Sequence, residues 1–205
     1  MPRRPDLPPL RRSDLASDPI EQFSSWWERA EAEVPLPDAI CLATVDSGGA
    51  PDARMVLLKG FGAEGFRFHT NYESAKGEQL TSNPNAAIVV YWRELDRQVR
   101  VRGVVERLSA EQSDEYFLTR PPERRVGAWA SPQSRPLESR DELDERVREV
   151  EERFAGEEIP RPEHWGGFRL IPETYEFWEH EENRLHDRIR YRRDGESWTV
   201  ERLQP

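Results

Sequence analysis

The segment Trp178–Arg188, near the C-terminus, sets several residues that could bind an anion close together in the chain. Its sequence is Trp-Glu-His-Glu-Glu-Asn-Arg-Leu-His-Asp-Arg. If residues 184–188 are extended, side chains alternate between two faces, and Arg184, His186 and Arg188 share one of them. Two guanidinium groups and an imidazole on one face suit an anionic ligand. The alternative is an exposed edge strand whose arginines pair with the neighbouring acids, since surface ion pairs are common and weak.

Lysine is scarce in this chain, and both lysines lie beside other features that favour anion binding. The 30 Lys and Arg residues include only Lys59 and Lys76 as lysines. Because an ammonium group and a planar guanidinium meet a phosphate differently, a retained lysine indicates a site that arginine would not fit. Lys59 ends the apolar run Arg54-Met-Val-Leu-Leu-Lys59, which predicts a buried strand. Lys76 follows Ser74, a predicted N-cap whose helix would offer free N–H groups to a phosphate.

Several motifs in a fixed order make the chain similar to a known family. They are Arg54–Lys59, Arg97-Gln98-Val99, Gly127-Ala-Trp129 with Gln133-Ser134, Trp165-Gly-Gly167, and Arg184–Arg188 with the tail Trp198–Pro205. With these motifs the chain, from about Leu10 to Pro205, resembles the pyridoxine (pyridoxamine) 5′-phosphate oxidases, which are flavin enzymes of the FMN-binding split-barrel class. The resemblance implies an α+β fold, an antiparallel and Greek-key-like split β-barrel with surrounding helices.

The same resemblance implies a cofactor, a reaction and a set of site residues. The cofactor is FMN, and the reaction oxidises pyridoxine 5′-phosphate and pyridoxamine 5′-phosphate to pyridoxal 5′-phosphate, with hydride transfer to flavin N5 and O2 giving H2O2. The residues implied to contact FMN are Arg54, Met55, Val56, Leu57, Leu58, Lys59, His69, Thr70, Lys76, Gln98, Gln133, Ser134, Trp178 and Arg188. Those implied to bind the substrate are Lys59, Tyr116, Arg120, Arg124, Arg184, Leu185 and His186, with Arg184 and His186 as the catalytic pair. The family's site lies at a two-fold interface, so the resemblance implies a homodimer in which both chains touch each FMN.

Three departures from the family pattern bear on the substrate. Ala75 stands where the family usually has an arginine between Ser74 and Lys76, and Arg124 stands where a serine usually meets the substrate phosphate. The N-terminal segment offers Arg3-Arg4-Pro5 in place of an Arg-Arg-Glu-Tyr pattern. These departures make FMN binding a firmer expectation than the identity of the substrate.

Two other functions remain open on the sequence. One is a split-barrel flavin oxidase of another reduced aromatic, as in the phenazine-biosynthesis relatives, which also keep an Arg-Leu-His motif. The other is a non-catalytic module that binds flavin or pyridoxal phosphate. The vitamin B6 enzyme is favoured over both by the joint presence of Lys59, Tyr116, Arg120, Arg184 and His186.

Composition limits the class of protein. A chain of 205 residues predicts one domain, and a formal net charge of −10 argues against nucleic-acid and acidic-membrane partners. No run of 18 apolar residues occurs and the N-terminus lacks an apolar signal region, so we expect a soluble, cytoplasmic protein. The four histidines have no metal-ligand spacing, so no metal site is predicted. Cys41 lies in an apolar run and is predicted to be a small core residue rather than a nucleophile.

Periodicity and capping residues predict the elements that must position the site. Residues 1–17 are predicted to be a mobile arm and residues 18–205 a single domain. Asp18, Ser74, Ser109 and Ser139 are predicted to begin helices, the last with a buried stripe of Leu143, Val147, Val150 and Phe154. Strands are predicted at 39–46, 53–60, 65–70, 86–92, 98–107, 167–171, 174–178, 189–193 and 197–203.

Overall fold

A computed structural model describes residues 10–205, and within this range the chain forms five α-helices and eight strands. The helices are α1 (Pro19–Glu33), α2 (Ala75–Ser82), α3 (Ala110–Leu118), α4 (Pro122–Ala130) and α5 (Arg140–Arg153). The strands are β1 (Ala39–Val45), β2 (Pro51–Gly62), β3 (Gly65–Asn71), β4 (Asn85–Trp92), β5 (Arg97–Arg107), β6 (Trp165–Glu179), β7 (Asp187–Asp194) and β8 (Ser197–Arg202). Across residues 10–205, every helix is too short or too polar to span a membrane.

The strands form one antiparallel sheet in the order β3-β2-β1-β4-β5-β6-β7-β8, and β3 also pairs with β6. This extra pairing closes the first six strands into a barrel. Strands β1, β2 and β3 follow one another as hairpins, and β4 returns through α2 to lie beside β1, which is a Greek-key connection. The predicted antiparallel, Greek-key-like split barrel with surrounding helices is therefore confirmed.

The barrel core is filled by the inward-facing residues of the strands, which alternate with outward-facing ones. In β1, for example, Ile40 and Leu42 are fully buried while Cys41 between them is only half-buried. Helix α1 covers one part of the barrel with Phe23 and Trp26, and Trp26 packs edge-on against Phe177 of β6. The prediction that Cys41 is a core residue is wrong, because its strand position points it to the outer face.

The predicted helix starts are confirmed by their caps. The Asp18 side chain accepts a hydrogen bond from the Ile20 N–H, and Ser74 and Ser139 accept from the third residue of their helices. Ser109 and Gln112 bond reciprocally in the predicted capping box. These side chains satisfy N–H groups that the first helical turn leaves without partners.

Several elements differ from the prediction. Helix α4 was not predicted. The Pro121-Pro122 pair ends the segment that follows α3, but Pro122 also occupies the first turn of α4, a position that proline favours. The two strands predicted at 167–171 and 174–178 are one strand, β6, with an irregularity opposite Arg102 and Gly103 of β5. The apolar stripe predicted to be buried on α5 is only half-buried, and the rest of this helix is charged and faces solvent.

The predicted N-terminal arm is described in part. Residues 1–9 lie outside the described residues. From residue 10 onward the segment contacts the barrel: the Leu10 side chain is buried, and its carbonyl accepts a hydrogen bond from Arg202 Nη2 at 2.9 Å. The Ala16 carbonyl accepts one from the Tyr191 hydroxyl at 2.9 Å. These contacts tie residues 10–17 to β7 and β8.

Gly103 in β5 has no room for a side chain, and this gives a test of the β5–β6 pairing. A Cβ atom there would lie 1.9 Å from the carbonyl oxygen of Ile171 in β6, whereas a Cβ at Gly62 in β2 would meet nothing within 4 Å. We expect Gly103→Ala to lower the free energy of unfolding by about 1–3 kcal/mol, because a backbone carbonyl cannot rotate away. Gly62→Ala, the matched control, should change it by less than about 0.5 kcal/mol. Equal urea midpoints for the two variants would show that the backbones are not this close.

Candidate active site

A cavity of about 400 Å³ opens between β2, β3, α2, α3 and α4 on one side of the barrel. Most of the residues that the sequence assigns to one site line it together. The lining residues are Met55, Val56, Leu57, Lys59, His69, Thr70, Lys76, Tyr116, Arg120, Arg124, Gln133 and Trp165. Four of them are cationic and none is acidic, so the cavity suits an anionic ligand.

One end of the cavity is built around Lys76, at the start of α2. Its ammonium group donates to Gln133 Oε1 at 2.8 Å and lies 3.3 Å from Thr70 Oγ1. Arg54 lies nearby and donates to Thr44 Oγ1 at 2.6 Å, while its other nitrogen pairs with Asp52 at 2.5 Å. Burial, followed by the charge of Arg54, lowers the pKa of Lys76. An anion at this end would favour the charged ammonium group.

The other end of the cavity carries Lys59, Tyr116, Arg120 and Arg124. Lys59 Nζ pairs with Asp38 Oδ2 at 2.7 Å, so its charge is partly balanced. The Arg120 guanidinium lies 4.6 Å from the centre of the Trp165 ring, a cation–π contact that fixes it from one side. Arg120 Nη1 is buried and has no hydrogen-bond partner among residues 10–205, and burial lowers the pKa of Arg120. This end therefore has donors ready for a bound anion.

His69 lies in β3 opposite Gly167 of β6 and packs against Tyr116 of the Lys59 end. Its ring is nearly parallel to the Tyr116 ring, with centroids 3.9 Å apart, and to the Trp165 ring at 5.4 Å. Both ring nitrogens are buried and have no hydrogen-bond partner in the described part of the chain. Burial, then the charges of Arg67, Arg120 and Lys59, lower the pKa of His69 to about 4.

A second group of predicted residues lies outside this cavity. These residues lie side by side on adjacent strands: Gln98 on β5 pairs with Trp178 on β6, which pairs with Arg188 on β7. The Trp178 and His186 rings are 4.7 Å apart, and Arg188 donates to Glu176 Oε1 at 2.8 Å.

The turn before β7 corrects one prediction. Arg184 has a φ of 63° and lies in a turn, so residues 184–188 are not one extended strand and the three cations do not alternate along it. Strand β7 begins only at Asp187. Leu185 is exposed, and the backbone N–H of Glu181 donates to His186 Nδ1 at 3.0 Å. Burial, then the charges of His180 and Arg184, lower the pKa of His186.

Strand register places the two groups on the same outer face of the sheet. Directly paired residues share a face, and one row of such pairs runs through Met55, Cys41, Val89, Arg100, Glu176, Arg190 and Glu201. Leu57 and Trp178 each lie two residues beyond a member of this row and so share its face. The closed barrel separates β2 from β6 by four strands' spacing through β1, β4 and β5 and by two through β3. Trp178 lies in the half of β6 that pairs with β7 rather than with β3, and within one chain it does not line the cavity.

The outer face between the two groups carries several exposed apolar side chains. Met55 is 63% exposed and Tyr91 is 55% exposed, and Leu57 is also exposed. The half-buried Cys41 lies beside Met55 in the register. Several large exposed apolar side chains on one face of a sheet are typical of a surface that contacts another protein chain.

Two other predicted residues do not line the cavity, and two residues in or beside it were not predicted. The Leu58 side chain points into the barrel core, and Ser134, with a φ of 73°, is exposed next to Gln133. Trp165 belongs to a quoted motif but received no role, although an aromatic beside two glycines is a recognisable signal. Asp38 received none, because no sequence pattern links it to Lys59.

A closed antiparallel barrel that presents a cationic cavity beside an apolar outer face defines a split-barrel protein that binds anionic ligands. The family model described as Pyridoxamine 5′-phosphate oxidase matches residues 27–154. The model described as Pyridoxine 5′-phosphate oxidase C-terminal dimerisation region matches residues 165–205. The chain therefore belongs to the pyridoxamine 5′-phosphate oxidase family.

Individual relatives agree with this membership. The chain is 52% identical to the pyridoxine/pyridoxamine 5′-phosphate oxidase of Bordetella avium (strain 197N), over 96% of this chain and 93% of that protein. PhzG from Burkholderia lata 383, solved in complex with tetrahydrophenazine-1-carboxylic acid, superposes with a TM-score of 0.91 at 33% identity over 98% of both chains. A pyridoxamine 5′-phosphate oxidase-related, FMN binding protein from Nostoc punctiforme PCC 73102 shares the fold, with a TM-score of 0.74 at 20% identity over 93% of this chain and 100% of that one.

The ion pair between Asp38 and Lys59 predicts how the cavity responds to a change of charge. We expect Asp38→Asn to tighten the binding of inorganic phosphate, because Lys59 would no longer be balanced by a carboxylate. Exposed ion pairs are worth about 0.2–1 kcal/mol, so the gain should be at most roughly fivefold. Asp194→Asn, on the β7–β8 turn, makes the same change of charge outside the cavity and is the control. Calorimetry that finds weaker phosphate binding in Asp38→Asn would show that the carboxylate positions Lys59 rather than competing for it.

Proposed function

We propose that the chain is an FMN-dependent oxidase that converts pyridoxine 5′-phosphate and pyridoxamine 5′-phosphate to pyridoxal 5′-phosphate. The observation that carries this proposal is the presence of two cationic ends in one cavity, because both cofactor and substrate are phosphate esters. Lys76, with the charge of Arg54 nearby, forms one end, and Lys59, Arg120 and Arg124 form the other. Membership of the family, with 52% identity to a curated oxidase, supports the same reaction.

FMN fits the residues at the Lys76 end. The free N–H groups at the start of α2, the Lys76 ammonium and the Arg54 guanidinium would hold its phosphate dianion. Gln133 and Thr70 already bond to Lys76 and would meet the phosphate or the ribityl hydroxyls. The exposed side chains of Met55 and Leu57 would lie beside the flavin ring. When bound, FMN accepts a hydride at N5 and is reoxidised by O2, which is released as H2O2.

The substrate fits the opposite end. Its phosphate would be held by Lys59, Tyr116 and Arg120, with Arg124 adding a charge that the family pattern does not include. Arg120 Nη1, which has no partner among residues 10–205, would gain one from the phosphate. Buried donors of this kind stabilise a bound anion by about 1.5–3 kcal/mol each. This arrangement orients C4′, the carbon that loses the hydride, relative to the cofactor.

The remaining contacts come from a second chain. Residues 165–205 match the family's dimerisation region, and the protein is a homodimer. We propose that the apolar outer faces pack together, so that Trp178, Gln98 and Arg188 of one chain complete the cofactor site of the other. Arg184 and His186 would then reach the pyridine ring of the substrate. Each site would contain residues from both chains, because Gln98, Trp178 and Arg188 do not line the cavity of their own chain.

His186 would act on the substrate through one nitrogen. Its Nδ1 accepts a hydrogen bond from the Glu181 backbone, so the neutral ring carries its proton on Nε2. Burial, followed by the charges of His180 and Arg184, lowers the pKa of His186, which favours the neutral ring. Nε2 would therefore donate a hydrogen bond to the oxygen or nitrogen on C4′ and orient it. Arg184 would hold the pyridine ring of the substrate from the turn that precedes β7.

The alternative functions have less support. The phenazine-type relative is 33% identical to this chain, whereas the curated oxidase from Bordetella avium is 52% identical. A non-catalytic module would not need two separate cationic ends and an aromatic group facing them. The vitamin B6 reaction is therefore the function that the site supports best.

Anaerobic bleaching of the flavin tests this function and separates the two groups of residues. The purified protein should contain FMN, and pyridoxine 5′-phosphate should bleach it without O2. Arg184→Ala and His186→Ala should stay yellow and bleach slowly, because their side chains meet only the substrate. Arg188→Ala should bind FMN roughly ten- to a hundredfold more weakly, the loss of one charge-assisted contact. Arg140→Ala on α5 makes the same substitution far from either group and is the control.

Two results would contradict the proposal. One is bleaching at the wild-type rate in both Arg184→Ala and His186→Ala. The other is bleaching by a reduced aromatic acid but not by pyridoxine 5′-phosphate, which would favour the phenazine-type reaction.

A further inference from the structure

His69 has a position that neither FMN binding nor the substrate contacts described above account for. Both of its ring nitrogens are buried and without a hydrogen-bond partner among residues 10–205. A buried polar atom without a partner costs about 1–3 kcal/mol, so such an atom in a ligand cavity calls for a ligand or another function. The sequence resemblance groups His69 with the FMN contacts, but its neighbours belong to the substrate end.

The ring is held in place by its neighbours, so its environment is well defined. Tyr116, a proposed contact of the substrate phosphate, lies with its ring 3.9 Å from that of His69 and nearly parallel to it. On the β6 side, Gly167 makes room for the ring, since a Cβ there would lie 2.9 Å from His69 Nε2. His69 also separates two cavities, the substrate cavity of about 400 Å³ and a neighbouring one of about 280 Å³, and it lines both with Lys59 and Tyr116.

The charges around His69 are almost all positive. Lys59 faces it from β2, Arg67 from β3, and Arg120 from the segment after α3. The other polar and titratable groups that line these two cavities are Gln112, Glu115, Tyr116 and Thr119 from α3 and the segment after it, Arg124 from α4, Thr70 from β3, and Lys76 and Gln133. In this surrounding the neutral ring is favoured when no anion is bound.

We infer that His69 takes up a proton when a dianion binds beside Lys59 and Arg120, so that binding of the substrate phosphate is coupled to protonation of this ring. The proton comes from solvent, and no bond other than the N–H bond forms. A dianion cancels two of the positive charges that oppose protonation and offers an acceptor to the new N–H group. The empty site thus avoids one more positive charge, and the occupied site gains it. This inference rests on the proposed function, since it takes the Lys59 end as the phosphate site.

The direction of the coupling between dianion binding and protonation of His69 follows from the charges around the ring. Burial, then the charges of Arg67, Arg120 and Lys59, lower the pKa of His69 to about 4 in the empty site. A bound dianion should raise the proton affinity of the ring by a factor of at least about ten, from Coulomb attraction at an effective dielectric constant between roughly 20 and 80. Affinity for a dianion should therefore increase as pH falls from 7 towards 5, and the increase should depend on His69.

The test uses the FMN-loaded dimer with ¹³C-labelled histidine rings and sulfate as the probe, because sulfate stays a dianion across this pH range. The NMR signal that disappears in His69→Phe is assigned to His69, and this variant keeps a flat ring against Tyr116. If His69→Phe does not fold, His69→Gln serves for the assignment. His164, whose Nε2 contacts the Ala128 carbonyl at 3.0 Å, lies outside both cavities and is the internal control. Its signal should not respond to sulfate.

We expect saturating sulfate to raise the pKa of His69, and sulfate to bind the wild type more tightly at pH 5 than at pH 7 while His69→Phe shows a smaller change. An unchanged His69 pKa would overturn the inference, as would equal pH dependence of sulfate binding in both proteins or no binding of sulfate to the holoenzyme. None of these measurements needs turnover. A failure of substrate oxidation with the sulfate effect intact would contradict the proposed oxidase reaction and leave the role of His69 standing.

Discussion

The pairing of β6 on both of its edges is the constraint on which the rest of the structure depends. Along one edge residues 168–179 of β6 pair with β5. Along the other, residues 165–170 close the barrel against β3, and residues 174–179 pair with β7. The first half brings Trp165 and Gly167 against His69 and so forms a wall of the cavity. The second half holds Trp178 and positions β7 on the same sheet, so one strand fixes the geometry of both halves of the site.

The cationic and acidic side chains are unevenly distributed over this molecule. The chain has a formal net charge of −10, yet every charged side chain that lines the cavity is cationic. Burial lowers the pKa of Lys76, Arg120 and His69, which shows that the empty cavity disfavours charge. A bound phosphate reverses this cost, because it supplies the opposite charge and hydrogen-bond acceptors. Part of the folding free energy is thus given up at the site and recovered when ligands bind.

Local sequence signals predicted the fold well and the geometry of the site less well. Helix caps such as Ser109 with Gln112 act within one turn, so the chain alone specifies them. Helix α4 was missed because Pro121-Pro122 indicates both an end and a beginning. Arg184 was misplaced because period-two reasoning assumes an extended strand, whereas its φ of 63° puts it in a turn. The Asp38–Lys59 pair and the spacing between the two groups depend on strand order, which no local pattern contains.

The central claim is that each site is completed by two chains, and a heterodimer tests it most directly. Lys76→Ala damages the cavity group, and Arg188→Ala damages the group around Trp178. If the groups meet across the dimer, a heterodimer of these two variants, isolated with two different affinity tags, has one site that carries both substitutions and one that carries neither. We expect half the sites to bind FMN with wild-type affinity, although each homodimer binds it weakly. A heterodimer with no site of wild-type affinity would show that both groups serve the same site from one chain, and would contradict the account.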